Sequence, residues 1–566
     1  MKEKFLVYVL LAVTMAAAAF AMWPSSNNDI LGWDDNIYVT ENPAIRDSSP
    51  SGIERIFTQT HYGLYKPVVI LSFALNYRFS GLNPRPYHIT NIVLHTVNTA
   101  LVFWLIVLLA ANVPAAAITA LVFAVHPMHV ESVAWVTERK DMLYSLFFLL
   151  SSILYLIYLK RKSPTAYIGS VLCFALSLTA KPMGITLPAV LFIYDYLLGR
   201  TFDKKLFLEK ITYIAVTAVT GILSFLLLTK ASQIAVSYTV TEKFFFVFYG
   251  LKFYVSRLFY PANLSALYPF PDRTLGHLPY DYYLAPVTVI GTALLLWKYF
   301  RHNRPVMGGL MFYIVTLAPV LQIVSFGPAV VADRYTYIPY IGLLLPISVY
   351  AARYGAKLLD ERKLKIVLPL ACAAALLLSV SIYASRKRCE MWKDNITLWY
   401  DAASKYPSIR TLIQLGGFFA NDPGMRDEAE KTYKAAVQLA GTVRLDDPQI
   451  ANVLESYCML AVIEYGRGET KKAETTLSQI TKLTPNCPTA WMSLGEIAVE
   501  NKQYEKALVY YAKASASSAH ASKAYSRMGN IYITLHNPQK AKEYFSRALE
   551  LNPDNKQAKA ALSRLS

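Results

Sequence analysis

Charge is scarce in this chain. Asp, Glu, Lys and Arg supply only 17% of its 566 residues, whereas 54% are hydrophobic. Acid is scarcer than base, 38 residues against 56, for a formal net charge of +18. Such a composition over this length argues against an ordinary soluble enzyme and against a disordered chain. Cysteine is also scarce. There are five, with no CxxC pair and no metal-ligand spacing, and Cys173 and Cys372 lie inside apolar runs. No disulfide framework and no cysteine-built metal site is indicated. The basic surplus would suit nucleic acid were it spread over one face. Instead Lys and Arg cluster in short loops between apolar runs, where they orient a membrane protein, so no nucleic-acid partner is expected.

What is present is long hydrophobic runs. They fall near 5–22, 88–110, 114–130, 142–159, 164–180, 183–198, 210–229, 244–260, 282–297, 306–324, 336–351 and 364–384. Most approach the ~20 residues that cross a bilayer. Basic clusters at Lys2/Lys4, Lys160–Lys162, Arg200/Lys204/Lys205, Lys298/Arg301/Arg304 and Arg353–Lys365 fall on one side if every run spans except 244–260. That run carries Lys252 and Arg257 among aromatics, as an interfacial or re-entrant helix would. The expectation is about eleven spans, with the N-terminus in the cytoplasm and the C-terminal region outside. If 244–260 does cross, the C-terminal region changes side. Residues 1–22 also resemble a cleavable leader ending at "AFA", 19–21. On either reading loop 23–87 faces outward, with the tip near 126–141, Lys181, the loop 230–281 and the turn 325–335.

Beyond residue 385 the composition becomes that of soluble helix. "AWMSLGEIAVENKQYEKALVYYAKA" and "AYSRMGNIYITLHNPQKAKEYFSRALELNP" match at a spacing of 34 residues, pairing Gly495 with Gly529, Ala507 with Ala541, Tyr511 with Phe545 and Ala514 with Ala548, and closing at Pro553. This is the tetratricopeptide pattern. An earlier copy keeps Tyr457, Ala461, Ala473 and Pro485 in register, and a looser one uses Gly417, Ala429, Tyr433 and Ala436, set apart by "GTVRLDDPQI" near 441–450. The predicted architecture is all-α: a polytopic membrane domain over 1–388, then a repeat domain over 389–566 with repeats near 408–441, 454–487, 488–521 and 522–555. Stacked repeats present a concave surface for peptides or proteins.

Chemistry-bearing residues converge on the outward face. "GWDDNIYVTENP" places Asp34 and Asp35 just beyond the first run. "PYHITNIVLHTVNTA" sets His88, Asn91, His95 and Asn98 on one helix face, a row that suits interhelical hydrogen bonding. "HPMHVESVAWVTERKDML" gathers His126, His129, Glu131, Glu138, Arg139, Lys140 and Asp141, and "VADRYTYIPY" adds Asp333 and Arg334. Each has an ordinary reading beside the functional one. Two loop aspartates are commonly a turn or cap. His126, His129 and Glu131 are not at a standard metal-ligand spacing. Arg139, Lys140, Lys181 and Arg334 are either interfacial anchors or donors to a lipid-borne phosphate. Taken together, acids and bases share one surface, and ionisable groups at membrane depth are expensive and functional.

"WDDNIYVTENP", "YKPVVILSFALNYRFSGLNPRPYHITNIVLH", "HPMHVESVAWVTERKDML", "ADRYTYIPYIG" and "RCEMWKDNITLWYDAASKYP" run in the order that resembles the transmembrane and tetratricopeptide repeat-containing family, across nearly the whole chain. That resemblance implies a GT-C-type membrane glycosyltransferase related to the protein O-mannosyltransferases. Such an enzyme moves mannose or another hexose from a polyprenyl-phosphate carrier to Ser or Thr of extracytoplasmic proteins. It implies Asp34 or Asp35 as catalytic base, with Arg139, Arg334 and Lys181 as donor-phosphate contacts. His126, His129, Glu131, Asp141 and His88 are further polar candidates. No cofactor is firmly implied, although adjacent aspartates hold a divalent metal in some relatives of this fold. The short loops and compact repeat domain suggest a bacterial inner membrane. Two rivals remain at this level: a non-catalytic repeat scaffold, for which eleven spans are excessive, and a lipid-linked sugar transporter, which needs polar residues along a path through the membrane.

Overall fold

The computed structural model describes residues 2–60, 65–228, 238–271, 277–323, 327–440, 450–485, 487–552 and 555–565. The segment 441–449, Pro553 and part of the outward loop 230–281 lie outside the described residues. The chain divides into two compact units, Met1–Lys405 and Tyr406–Ser566. The helix Asn395–Lys405 therefore belongs to the first unit, beyond the boundary expected at 388.

Among the described residues the twelve apolar runs are mainly helical, from Lys2–Met22 to Leu364–Glu390. The starts are written locally. Asn83, Asn112, Ser163 and Asn303 each accept a backbone N–H of the first turn, with proline at the first or second position. Among the described residues, five helices are long and apolar enough to cross a membrane, or six if the pair Val113–Val125 and Pro127–Ala134, bent by 57°, is one span. Eleven spans are thus more than length and composition give. Pro127 breaks one run, the Lys181–Pro182 turn ends another helix at Ala180, and Pro164–Ala180 and Arg304–Val320 stay short. Val240–Phe259, which covers all but the last residue of the run 244–260, is a continuous helix opened by a Thr239–Glu242 capping box, and its Lys252 pairs with Asp281 on the next helix.

The lipid-like surface is plain on Leu364–Glu390, where Leu376 and Leu377 are two-thirds exposed. Inside, the row on Pro84–Ala110 is wholly buried and bonded to neighbouring helices. Asn91 donates to the carbonyls of Val133 and Trp135 at 3.2 and 3.1 Å. His95 bonds Tyr337 Oη at 2.8 Å and the Ala124 carbonyl at 3.0 Å, and Asn98 donates to Met142 O at 3.0 Å. Ala18 and Ala21 of the first helix pack against Ala124 and Val125, so the "AFA" stretch lies within a helix contact. The only strands among the described residues are Tyr268–Pro269 and Ala329–Val331, paired antiparallel.

The second unit is helix pairs. Ile409–Ala420 precedes Arg426–Ala440, Ile450–Gly466 precedes Thr470–Leu483, Pro488–Glu500 precedes Tyr504–Ala514, and Ser518–Thr534 precedes Pro538–Leu551. Lys556–Leu565 closes the stack, its Ala558 buried against Ala541, Phe545 and Ala548. Small residues let the pairs cross. A Cβ on Gly495 would meet the Tyr511 ring at 2.5 Å, and one on Gly529 the Phe545 ring at 2.8 Å. In the first pair the register differs from expectation. Gly416, not Gly417, nests the Tyr433 ring, at 2.9 Å against 3.8 Å. The Pro423–Met425 turn takes up the extra residue between the two helices.

Candidate active site

The site is organised by a hairpin that is buried almost throughout. After Pro127 the chain turns through Pro127–His129, a single helical turn Val130–Ala134 and a second tight turn Val136–Glu138 before entering Arg139–Arg161. These short turns aim Glu131, Glu138 and Asp141 at one region, where Lys140 of the same helix is joined by basic residues from two other segments. Glu138 faces Lys140 Nζ at 2.9 Å, Arg334 Nε at 3.4 Å and Lys181 Nζ at 3.8 Å. Glu131 accepts the backbone N–H of Arg334 at 3.0 Å and pairs with its guanidinium. Asp141 pairs with Lys181 and accepts Ser132 Oγ–H at 3.3 Å. Buried charges survive only when paired in this manner.

The cluster is layered. Glu131, Glu138 and Asp141 lie beneath, while the side chains of Lys140, Lys181 and Arg334 retain 12%, 12% and 15% of their surface. Asp34 is the exposed carboxylate of the group, at 35%, with Lys140 Nζ 3.5 Å away. Trp135 forms a hydrophobic wall, with Lys140 and Arg334 lying 5.4 and 5.6 Å from its ring.

The two adjacent aspartates have separate roles. Asp35 is fully buried. One oxygen accepts the Leu31 N–H at 3.0 Å, and the other accepts the backbone N–H of Thr137 at 2.9 Å together with its hydroxyl. It pins the first loop to the hairpin. Burial raises its carboxyl to about 6 against those hydrogen bonds. Trp33 completes the join by stacking on Trp135 at 4.5 Å and meeting Trp399 at 4.9 Å. Both Asp35 oxygens being committed, the Asp34–Asp35 pair does not fit a shared divalent metal. Among the described residues no group of three or more His, Cys, Asp or Glu side chains could hold one.

Several expected site residues are placed elsewhere by the fold. Arg139 is fully buried, and its guanidinium donates to Asn91 Oδ1 and Tyr87 O at 2.7 Å each, to Asn76 Oδ1 and to Ser72 O, with the Phe73 ring 4.9 Å away. It braces Pro67–Ser80 against Pro84–Ala110, and it is not free to meet a phosphate. His126 bonds the Leu258 carbonyl at 3.1 Å, His129 the Phe123 carbonyl at 2.8 Å, and His88 the Asp29 carbonyl at 3.3 Å. Each of these histidines gives a backbone carbonyl a side-chain partner and is thereby held in the fold. Glu131 is the partner of Arg334 and not a ligand beside His126 and His129.

One residue of the site was not singled out from the sequence. Lys66, just before Pro67, is 8% exposed, and its ammonium reaches the Tyr38 hydroxyl at only 3.5 Å and the Tyr38 ring centroid at 5.2 Å. Among the described residues no carboxylate lies within ion-pair distance of it. Burial, with Lys140 and Lys181 nearby, holds it down at about 7, partly offset by Glu138 and Asp34. The signal was faint: Lys66 is the one Lys or Arg between Arg55 and Arg78. Asp333, next to Arg334, is likewise buried and accepts the Tyr268 hydroxyl at 2.7 Å, and burial raises its carboxyl.

Two tetratricopeptide repeat models match residues 458–522 and 522–555. Over most of its length the chain is similar to curated protein O-mannosyl-transferases. It is 24% identical over 619 residues to "Protein O-mannosyl-transferase TMTC3" of Mus musculus, covering 97% of this chain and 64% of that one. It is 23% identical to the Homo sapiens counterpart, covering 93% and 66%. A shorter stretch, 24% of this chain and 17% of the relative, is 38% identical to "Protein O-mannosyl-transferase TMTC2" of Homo sapiens. The chain therefore spans somewhat less than two thirds of the length of the first two relatives.

Proposed function

We propose that this chain is a multi-pass membrane glycosyltransferase of GT-C type. It moves mannose or another hexose from a polyprenyl-phosphate carrier to a serine or threonine hydroxyl of an extracytoplasmic protein, and the repeats recruit the acceptor. The observation that carries the reading is the layered cluster: one accessible carboxylate, Asp34, beside a floor of Lys140, Lys181 and Arg334, with Lys66, which has no carboxylate at ion-pair distance among the described residues. A transferase of this kind needs a base for the incoming hydroxyl and fixed positive charge for a departing phosphate, side by side and near the membrane surface.

Asp34 accepts the hydroxyl proton while the acceptor oxygen bonds to the anomeric carbon. The bond from that carbon to the phosphate oxygen breaks, and its electron pair leaves on the polyprenyl phosphate. Lys66, Lys140, Lys181 and Arg334 hold the added negative charge. The buried Glu131, Glu138 and Asp141 fix Lys140, Lys181 and Arg334 in place, so little reorganisation accompanies the reaction. Asp35 acts at one remove, by holding the loop that carries Asp34. The similarity to protein O-mannosyl-transferases supports the reaction class, and the apolar helices support a lipid-borne donor.

The test is transfer from defined polyprenyl-phosphate sugars to a Ser/Thr peptide by the purified chain, with Asp34→Asn as the control. Transfer by the parent and its loss in the variant are expected. No transfer from any polyprenyl-phosphate hexose, by protein that is folded and in membrane, would defeat the proposal.

A further inference from the structure

The last apolar helix, Leu364–Glu390, ends in basic residues that the proposed reaction does not use. Its C-terminal end is held firmly. Ser385 Oγ donates to the Val125 carbonyl at 2.7 Å, Asn28 Nδ2 to the Cys389 carbonyl at 3.0 Å, and the Asp29 N–H to the Lys393 carbonyl at 2.8 Å. These bonds place it on the same side as the loop that carries Asp34. Beside it opens a cavity of about 230 Å³, bounded also by Pro127, by the segment 261–264 and by Asp401 and Lys405 of Asn395–Lys405. The cavity shares no residue with the cluster around Glu138. It is smaller than the ~300–1,000 Å³ that encloses a drug-sized molecule, and so suits a single charged group.

The charge around it is lopsided. Lys387, Arg388 and Lys405 line the cavity against one carboxylate, Asp401. Asp401 is committed twice, to Arg388 Nη1 and to Lys405 Nζ, each at 2.6 Å. Lys387 pairs with Glu390 at 2.9 Å, where both side chains are about half exposed. Basic residues in a last turn commonly offset the helix dipole, and that accounts for Lys387. It does not account for Arg388, which is 6% exposed and lies 5.9 Å from the Trp392 ring centroid. Its Nε and Nη2 are buried and meet no acceptor among the described residues. Asp333 contributes charge there only from beyond ion-pair distance. Nε–H and Nη2–H form one edge of the guanidinium, a pair of parallel donors that matches two oxygens of an oxyanion.

We infer that this cavity binds a phosphate group, and the inference stands apart from the proposed transfer reaction. Leaving charged donors buried without an acceptor is costly. Two phosphate oxygens satisfy the Arg388 edge, and Lys387 and Lys405 add charge from the rim. The surroundings suit a phosphate carried by a lipid headgroup. Tyr383 adjoins the lining residue Ala384, Phe259 and Tyr260 precede Pro261, and all three aromatic rings are exposed, as in an interfacial belt. Leu376, Val380 and Tyr383 continue the helix face of Lys387 as an exposed apolar track along which acyl chains would lie. A free phosphate would use the same three cations.

The experiment follows acetylation of each lysine of the full-length chain in neutral detergent, mapped by mass spectrometry. One arm adds sodium phosphate, against sodium chloride at matched ionic strength. The other adds phosphatidylglycerol to the micelles, against diacylglycerol of the same chains. Lys387 and Lys405 should be acetylated several-fold more slowly with the phosphate-bearing additive, while the exposed Lys393, outside the cavity, is unchanged. Protection in the lipid arm alone assigns the site to headgroups, and protection by inorganic phosphate assigns it to free phosphate. Arg388→Gln should raise the amount needed for half protection at least about tenfold. Asp401→Asn removes the competing charge and keeps an acceptor, so it should lower that amount, a gain that a purely structural Arg388–Asp401 pair does not give. This second variant decides the matter should Arg388→Gln fail to fold. No protection in either arm, equal protection in Arg388→Gln, or no gain in Asp401→Asn would overturn the inference.

Discussion

Asp34 and Lys140 meet at 3.5 Å, the carboxylate in reach of solvent and the ammonium anchored from below by Glu138 at 2.9 Å. The contact links the first loop to the hairpin without closing off Asp34. By contrast, Asp35 spends both oxygens on backbone and hydroxyl donors.

Asp34→Asn and Asp35→Asn should therefore differ in kind. A general base is worth ~10²–10⁴-fold in rate, so Asp34→Asn should lower kcat at least a hundredfold with little change in Tm. Asp35→Asn should act on stability. The folded-state value of Asp35 lies above its unfolded one, so the folded chain binds more protons between pH 4 and 6, and stability falls as pH rises through that window. With a shift from 3.8 to about 6, the cost of carrying the buried charge at neutral pH is about 3 kcal/mol. The parent's Tm should drop from pH 4 to 6 more steeply than that of Asp35→Asn. Parallel curves would show that Asp35 does not titrate there.

Lys66 carries a pH signature of its own. Held at about 7, it loses its proton as pH rises through neutrality in the absence of ligand. A polyprenyl-phosphate sugar is a diester whose single charge does not titrate in that range. Donor KM should then rise with pH above 7, by up to about tenfold per unit. Lys66→Arg should flatten the rise, because a guanidinium stays charged, and Lys66→Met should raise KM at every pH. A pH-independent KM in the parent would remove Lys66 from the donor site.

Arg139 and Arg334 should separate fold from binding. Arg139→Ala strands Asn91 Oδ1 in the interior and opens a cavity, at a cost of about 3–5 kcal/mol, so a large loss of Tm or of folded protein is expected. Arg334→Lys keeps a charge for Glu131 but not the fork, and should raise donor KM with a smaller effect on Tm. Measured Tm values with the opposite ranking would show that Arg139 is dispensable to the fold.

The repeat register gives a sharper contrast. An alanine at 416 would bring its Cβ to 2.9 Å from the Tyr433 ring, whereas at 417 the nearest atom is the Tyr433 hydroxyl at 3.8 Å. Gly416→Ala should cost about 1–3 kcal/mol. Gly417→Ala should be near neutral or slightly stabilising, as Gly→Ala is in an unstrained helix. Urea melts of the two variants decide between the registers.

Much of this was legible in the chain because it is written in period and spacing. Apolar runs mark helices, Asn–Pro and Ser–Pro pairs mark their starts, and a step of 34 residues marks the repeats. The row His88, Asn91, His95 and Asn98 was legible for the same reason: helical spacing alone places it on one face. The convergence of Asp34, Glu131, Asp141, Lys181 and Arg334 followed from their shared position at the ends of apolar runs. Span number was less legible. Hydropathy sums over a run, whereas Pro127 and Pro182 divide runs into pieces whose path depends on packing.

The sequence by itself determined that the chain is helical, that its charged residues gather at the ends of apolar helices, and that its last part is a stack of repeats. These are local matters of hydrophobicity, proline and glycine. Only the tertiary structure decided which charged residue does what. Asp34 and Asp35 are neighbours, as are Glu138 and Arg139, and residues in a helical turn point ~100° apart. Of each pair, one side chain therefore meets the cluster while the other meets a different part of the fold: Asp35 its backbone and hydroxyl donors, Arg139 the acceptors around Asn91. Lys66 joins the cluster for the converse reason. It is distant in sequence and without a pattern, and only the packing of Pro67–Ser80 against the rest of the unit carries its charge to the site.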